Sequence, residues 1–375
     1  MNKTCILPWI HLEATPNGKV KPCCMYVNEL EHSDLTKSSL EEVWNSEQLN
    51  NLRKDFVNGK MPPGCKPCWD AEAGGYKSKR QRDNERFSHH LDRISQPLKK
   101  PVYLDLKLGT VCNIKCRTCS TESSFKWAND EQLIYGRVLN PNLRNYWVEE
   151  DSPFWQGLEE MLDDLEYIDF TGGEPFLIKR HVEVLRKCVE RDLAKDISIH
   201  YNTNGTIMPT EEMFELWKHF KWVEVMFSID GVREHFNYIR HPAKWDLVMN
   251  TFNKTKERQY LHISICHTVS MLNVYYLPEF ITWFKTQGLE EHQLYLNLLH
   301  YPTYYCVSNL DNSTKQVVNK RLENVSFNQI AAIRDFINST NDNKVDEFIS
   351  ITKKIDVIRN ERFEEVFPEF YEVIK

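Results

Sequence analysis

No stretch of this 375-residue chain is long and apolar enough to cross a bilayer, since no run approaches the ~18–20 residues that a spanning helix needs. The opening segment, Met1-Asn2-Lys3-Thr4-Cys5-Ile6-Leu7-Pro8, is too short in apolar residues for a secretory signal and meets Pro8 early. The chain is therefore expected in the cytoplasm, away from membranes, where thiols stay reduced. An excess of positive charge is also lacking. A formal net charge of −7 gives no general attraction to a phosphate backbone, and no basic domain is appended. Nucleic acid is not expected as a partner. A separate leader-peptide-binding domain is likewise not visible.

What is present describes an ordinary globular protein, with 41% hydrophobic and 27% charged residues. The length allows one large α/β domain with a smaller one, or two to three average domains. Aromatic residues are plentiful, at 10 Trp, 16 Tyr and 19 Phe, which supplies large cores or planar binding surfaces. Eleven cysteines in a reducing compartment read as metal ligands and buried thiols, not as disulfides.

The most informative feature is a trio, Cys112, Cys116 and Cys119, spaced C-x3-C-x2-C after the strand-like run Val102-Tyr103-Leu104-Asp105-Leu106-Lys107-Leu108. Three soft thiolates on one loop can hold three irons of a cubane cluster and leave the fourth iron open. A structural zinc site needs four closed ligands and fits this spacing poorly.

A second set lies in the first 70 residues. Cys5 is followed by twelve residues, Gly18, four residues and Cys23. The glycine falls in the turn Thr15-Pro16-Asn17-Gly18-Lys19, so a hairpin would bring Cys5 and Cys23 together. After a helical stretch from Ser39 to Arg53, Pro62-Pro63-Gly64 leads into Cys65-Lys66-Pro67-Cys68. Four cysteines in two groups suit either an iron–sulfur cluster or a zinc ribbon. Cys24 is a spare thiol. Residues 76–100, with Lys77, Lys79, Arg80, Arg82 and Arg86, read as a solvated linker or helix.

From Val102 onward, β-branched or apolar runs alternate with amphipathic stretches, the pattern of βα units in a parallel sheet. Strands are expected near 102–108, 166–171, 196–202, 223–229, 261–269 and 293–299, with helices over 177–191, 210–220, 244–258 and 274–287. Six strands predict a partial (β/α)6 barrel of the TIM type, with functional groups at the C-terminal strand ends. The second strand ends at Thr171-Gly172-Gly173-Glu174-Pro175. There the glycines allow close backbone approach, and Glu174 can accept from an ammonium. The third strand enters Tyr201-Asn202-Thr203-Asn204-Gly205, itself an ordinary turn composition. Ser228 and Asp230 alternate onto one face after the fourth strand, a pair suited to ribose hydroxyls. An aromatic-rich insertion, 120–165, holds Phe125, Trp127, Tyr135, Tyr146, Trp147, Phe154 and Trp155. It reads equally as a lid or as helices with their own core. Tyr301-Pro302-Thr303-Tyr304-Tyr305 is a second rim candidate, and residues 301–375 form a charged helical extension.

The cysteine trio followed by Gly172-Gly173-Glu174-Pro175 resembles the signature of the radical S-adenosylmethionine superfamily. The position before the third cysteine, an aromatic in that family, is Thr118. The segments C-x12-G-x4-C, Leu40-Glu41-Glu42-Val43-Trp44-Asn45-Ser46 and C-x2-C resemble the twitch module, the half-length relative of the SPASM domain. Here it precedes the barrel instead of following it. The resemblance implies an α/β fold in three parts: a small α+β twitch-like module over 1–75, a barrel over 101–300, and the helical extension.

It also implies a 4Fe–4S cluster on Cys112, Cys116 and Cys119 that binds S-adenosylmethionine, and an auxiliary 4Fe–4S cluster on Cys5, Cys23, Cys65 and Cys68. Gly172, Gly173, Glu174 and Pro175 would hold the methionine amino group. Asn202 would lie beside the cofactor, Ser228 and Asp230 at the ribose, Arg240 near the cofactor carboxylate, and Ser270 and Asn273 at the adenosine. The implied activity is reductive cleavage to a 5′-deoxyadenosyl radical that abstracts hydrogen, in oxidative tailoring of a peptide or protein. A sugar or alcohol dehydrogenase acting on a small molecule is the alternative, and a non-catalytic iron–sulfur electron carrier a further one. A reducing partner such as flavodoxin or ferredoxin is expected.

Overall fold

The computed structural model describes residues 3–73, 77–95, 99–141, 146–148 and 151–375. Eight strands are described: β1 (His11–Ala14), β2 (Val20–Lys21), β3 (Tyr103–Lys107), β4 (Tyr167–Thr171), β5 (Ser198–Thr203), β6 (Trp222–Ser228), β7 (His262–Val269) and β8 (Leu294–Leu298). The last six are those expected from the alternation of apolar runs. The expected helices also form, as Arg180–Glu190, Glu211–Trp217, Trp245–Lys256 and Leu277–Lys285. The fold class is α/β, a partial (β/α)-barrel type with a cysteine-rich N-terminal module.

The chain divides into two compact units. The first comprises Met1–Val111, Arg144–Tyr201 and Pro209–Val223; the second comprises Cys112–Leu143, Asn202–Met208 and Glu224–Lys375.

In the first unit the strand order is β2-β1-β3-β4-β5. Gly18, at φ 71°, makes the turn, and β1 pairs antiparallel with β2 as the hairpin reading requires. The hairpin also does something the pattern did not announce. Its strand β1 runs parallel to β3, His11 opposite Tyr103 and Glu13 opposite Asp105, so the cysteine-rich module contributes two strands to the sheet. The stretch from Ser39 is two helices. Ser39 and Glu42 form a reciprocal capping box on Leu40–Trp44, and Ser46 caps Glu47–Val57.

The segment read as a solvated linker or helix is helical and partly buried. Lys79–Arg86 is helical with Arg80 and Asp83 buried. Arg80 donates to both carboxylate oxygens of Glu72, at 2.9 and 2.6 Å, and to the Thr4 carbonyl. The fork geometry of the guanidinium satisfies three acceptors at once, so its charge tolerates burial. The rim insertion also resolves into core. Trp147, Phe154 and Trp155 are buried and packed on one another, while residues 142–145, 149–150 and the Tyr146 side chain lie outside the described set.

In the second unit β6, β7 and β8 are parallel neighbours. Its C-terminal helices, Asn312–Leu322, Ile330–Ile337, Val345–Arg359, Phe363–Val366 and Pro368–Ile374, carry acidic groups onto the cysteine loop. Arg117, fully buried between Cys116 and Thr118, donates to Asp356 and Glu361. Its guanidinium lies 3.5 Å from the Tyr238 ring centre. Arg359 similarly meets Asp130 at 3.1 Å.

Removing one partner of a buried pair strands the other charge and costs about 3–5 kcal/mol. Asp356→Ala is therefore expected to lower thermal stability by that order and to reduce iron bound at the cysteine loop. Glu361→Gln, whose site is more exposed, is expected to do less. Calorimetry and iron assay on the two variants check both.

Candidate metal and cofactor sites

Four thiols converge within the first unit. Cys5 precedes the buried turn Leu7–Ile10, and Cys23 follows β2. Cys65 and Cys68 sit where a 3₁₀ turn passes into helix Lys66–Ala73. All four line one pocket with Tyr26, Phe56, Lys79 and Arg80. Gly64 allows the close approach, because a Cβ there would stand 2.3 Å from the Tyr26 ring. Burial raises the Cys65 thiol to about 12, assisted by Cys23 and Cys68. Cys5 and Cys23 are raised for the same primary reason. Crowded, desolvated thiols of this kind ionise on a cation and not by themselves.

Four cysteines around one pocket supply a ligand for every iron of a 4Fe–4S cubane. Cys24 does not line this pocket; its thiol faces Lys79, Asp105, Glu13 and Lys107.

The second set belongs to the second unit. The loop of Cys112, Cys116 and Cys119 is held by backbone bonds from Lys115 to the His241 carbonyl and from Arg117 to the Ile239 carbonyl, both 2.8 Å. Trp127 Nε1 donates to the Cys116 carbonyl at 2.9 Å. Two side chains reach the sulfurs themselves: Asn204 Nδ2 donates to Cys112 Sγ at 3.6 Å, and Arg240 Nη1 to Cys116 Sγ at 3.7 Å. A hydrogen bond from Cys119, with help from Arg240, holds the Cys116 thiol down to about 7 despite burial. Donors aimed at the sulfurs stabilise thiolate and cluster charge alike.

Around this loop several expected residues come together. Arg240 donates through Nε to Asp230 Oδ2 at 2.8 Å, and Thr268 N–H donates to Asp230 Oδ1 at 2.8 Å. Both carboxylate oxygens of Asp230 are thus engaged, one of them in orienting Arg240. Asn273 bridges the Asp230 and Thr268 carbonyls and accepts from Ser270 N–H. The Ser270 hydroxyl and His267 Nε2 are buried with no protein partner. Ser228 ends β6 opposite Cys266, and Asn202 lies half-buried in β5.

The Gly172-Gly173-Glu174-Pro175 segment belongs to the first unit. Gly173 N–H donates to the Gly109 carbonyl at 2.9 Å and Glu174 N–H to that of Val111 at 2.8 Å; Val111 immediately precedes Cys112 in the chain. A Cβ on Gly173 would stand 2.2 Å from the Val111 oxygen, and one on Gly172, at φ 107°, 2.8 Å from Leu108 N. Glu174 is fully buried, and its Oε1 accepts from Phe176 N–H at 3.3 Å. Pro175 opens the 3₁₀ turn that follows.

Two features escaped the sequence reading. Asn204 reaches a cysteine sulfur; the expectation in this strand-to-loop run was Asn202, two residues earlier, beside the cofactor. The second is a polar face on the sheet of the first unit. Glu13, Asp105 and Asp169 stand in register on β1, β3 and β4. Tyr103 donates to Asp169, Lys107 to Glu13, and Thr171 Oγ1 to Asp105 at 3.1 Å. Burial, together with Asp169 and Glu13 and against Lys107 and Lys79, lifts Asp105 to about 7. The available signal was a carboxylate at the centre of each apolar strand run.

Residues 106–277 match the model of the radical SAM superfamily, and residues 5–69 match that of SPASM, an iron–sulfur cluster-binding domain. The chain carries a radical SAM domain and, on its N-terminal side, a SPASM domain. These are domains of S-adenosylmethionine and 4Fe–4S clusters, and the two thiol sets fit them.

Among curated proteins the chain is similar to GTP 3′,8-cyclases of Actinobacillus pleuropneumoniae. It is 23% identical to that of serotype 3 (strain JL03) and 22% to that of serotype 7 (strain AP76), each over 55% of this chain and 55% of the relative. The chain thus spans about half the length of the curated relatives it matches. Among solved structures, anSMEcpe with bound AdoMet aligns with TM-score 0.41 at 20% identity, over 64% of this chain and 62% of that one. Streptococcus suis SuiB bound to precursor peptide SuiA aligns with TM-score 0.40 at 13% identity, over 79% and 64%.

Two outcomes are expected from these contacts. Gly173→Ala drives a Cβ into backbone that cannot yield, costing about 1–3 kcal/mol and weakening S-adenosylmethionine binding, as melting curves and equilibrium dialysis would read. For Asp105, the folded-state value lies above the unfolded one, so its stabilising contribution is lost as pH rises through 7. Melting temperature is expected to fall from pH 6 to pH 8 by the equivalent of about 1 kcal/mol, and Asp105→Asn is expected to flatten that slope.

Proposed function

We propose that this protein reductively cleaves S-adenosylmethionine and uses the resulting 5′-deoxyadenosyl radical to oxidise a substrate, in tailoring of a peptide or protein. The observation that carries the oxidative assignment is the four-thiol cradle of the first unit. It has a cysteine for every corner of a cubane, within residues that match an iron–sulfur cluster-binding domain. A cluster ligated at all four irons has no iron open to a cofactor, which suits it to move electrons. Lys79 and Arg80 beside the pocket offset the charge that a reduced cluster would carry.

The chain's own residues divide the remaining work. Asn204 and Arg240 hold the sulfurs of the three-cysteine loop, Asp230 aims Arg240, and Glu174 with its glycines supplies a carboxylate and close backbone for an amino acid ammonium. Fixed polar groups in a dry site orient a bound cofactor at little reorganisation cost. The row of Glu13, Asp105 and Asp169 offers acceptors to a polar or cationic substrate group. Peptide maturases and alcohol-oxidising enzymes both occur among SPASM-bearing relatives. A small-molecule substrate is the second reading, favoured by the curated relatives, whose name is GTP 3′,8-cyclase.

The test is iron, labile sulfide and zinc per chain on protein purified without oxygen, with electron paramagnetic resonance of the reduced form. About eight irons are expected, with two cluster signals of which only one responds to S-adenosylmethionine. Cys65→Ser is expected to leave about four irons and keep the responsive signal. Four irons and one zinc in the unaltered protein would end the oxidative assignment. Release of 5′-deoxyadenosine stimulated by small metabolites, and not by peptides, would transfer the substrate to the second reading.

A further inference from the structure

A different constellation stands apart from both thiol sites, entirely within the first unit. His89 and His90 lie on the 3₁₀ segment Ser88–Ile94, and Glu166 immediately precedes β4. Their ligand atoms all fall within 4.8 Å of one another, alone among the described residues. The carboxylate is straddled: His89 Nε2 is 3.1 Å from Glu166 Oε2, and His90 Nε2 is 2.9 Å from Oε1. We propose that His89, His90 and Glu166 form a binding site for a divalent transition cation of the zinc type.

Three observations carry this. The first is chemical. Two imidazole nitrogens and a carboxylate are borderline ligands suited to zinc, nickel or copper and poorly suited to magnesium or calcium. The second concerns distance. Nitrogen and oxygen donors at about 2.0–2.2 Å from a tetrahedral ion stand about 3.3 Å from one another, close to the separations found here.

The third is the buried ring of His90, whose side chain is 7% exposed. Its Nε2 is held 2.9 Å from Glu166 Oε1, a buried ring nitrogen already aimed at the carboxylate. A shared cation would engage that nitrogen and the carboxylate oxygen together.

The scaffold is set for such an ion. Glu166 is held by its own backbone, with its N–H donated to the Val102 carbonyl at 2.8 Å and its carbonyl accepting from Ser198 at 2.9 Å. His89 and Glu166 are 57% and 41% exposed, so an ion can enter from solvent. One water, or the second carboxylate oxygen, would complete its tetrahedral shell. A bound ion would tie the segment following the SPASM domain to the start of β4, a structural role that requires no cofactor chemistry.

The experiment uses the holoprotein, with iron and sulfide fully loaded so that the cysteine sites cannot take zinc. Zinc is titrated by calorimetry and bound metal is counted after gel filtration, for the unaltered chain, His89→Ala and Glu166→Gln. The expected result is one zinc per chain at micromolar affinity, weakened roughly tenfold or more in both variants, with unchanged iron content. Zinc is also expected to raise the melting temperature of the unaltered chain only. His89 is exposed, so its replacement leaves the fold intact and keeps the comparison fair. Equal zinc binding in all three proteins, or none in the unaltered chain, would overturn the assignment.

Discussion

The guanidinium of Arg117 is the contact on which the cysteine loop of the second unit depends. It sits inside the loop, between two of the metal-binding residues, and is wholly removed from water. A charge in that position is tolerable only with anions and an aromatic face around it. Asp356, Glu361 and the Tyr238 ring supply them. The same arrangement ties together elements far apart in sequence, since Asp356 also accepts from Tyr238 and from Phe363 N–H. His241, whose carbonyl holds Lys115, also meets Glu361. The C-terminal helices are therefore part of the loop's foundation and not an appendage.

Both thiol sites use one principle in different ways. Around the four-cysteine pocket, burial dominates, and the thiols resist ionising until a cation arrives. In the three-cysteine loop, hydrogen bonding from Cys119 and the nearby Arg240 oppose burial at Cys116 and favour its charged sulfur, while Cys119 itself is raised. A closed set of desolvated ligands suits a cluster that is only to exchange electrons. A set with directed donors and an incomplete ligand count suits one that must also receive a small molecule.

Much of this was legible in the chain. The six barrel strands follow from apolar runs separated by amphipathic helices, and both cysteine sets follow from spacing. The turn at Gly18 was legible because a positive φ is cheap only for glycine. Other features were hidden for physical reasons. Strand β1 is four residues long and entirely buried, so it shows no alternation to read. Arg80 looks like a solvent charge because its partner, Glu72, is brought to it from the preceding helix by folding. Asp230 looked like a ribose ligand from its alternation with Ser228, yet its oxygens are engaged by Arg240 and Thr268. Alternation reports a face and not which neighbour claims it. The carboxylates of β1, β3 and β4 become a row only once strand register aligns them.

The pairing of β1 with β3 has a consequence for how this chain can be dissected. The first strand of the SPASM side occupies the hydrogen-bonding edge of the strand that leads toward the cysteine loop. A fragment beginning after the N-terminal module would carry an open β3 edge, with Tyr103, Leu104, Asp105 and Leu106 bereft of their partners. Bare edges of that sort recruit other strands, their own copies included. Within the first unit, the N-terminal module and β3 are thus joined as boards in one panel, and a cut between them would expose a seam.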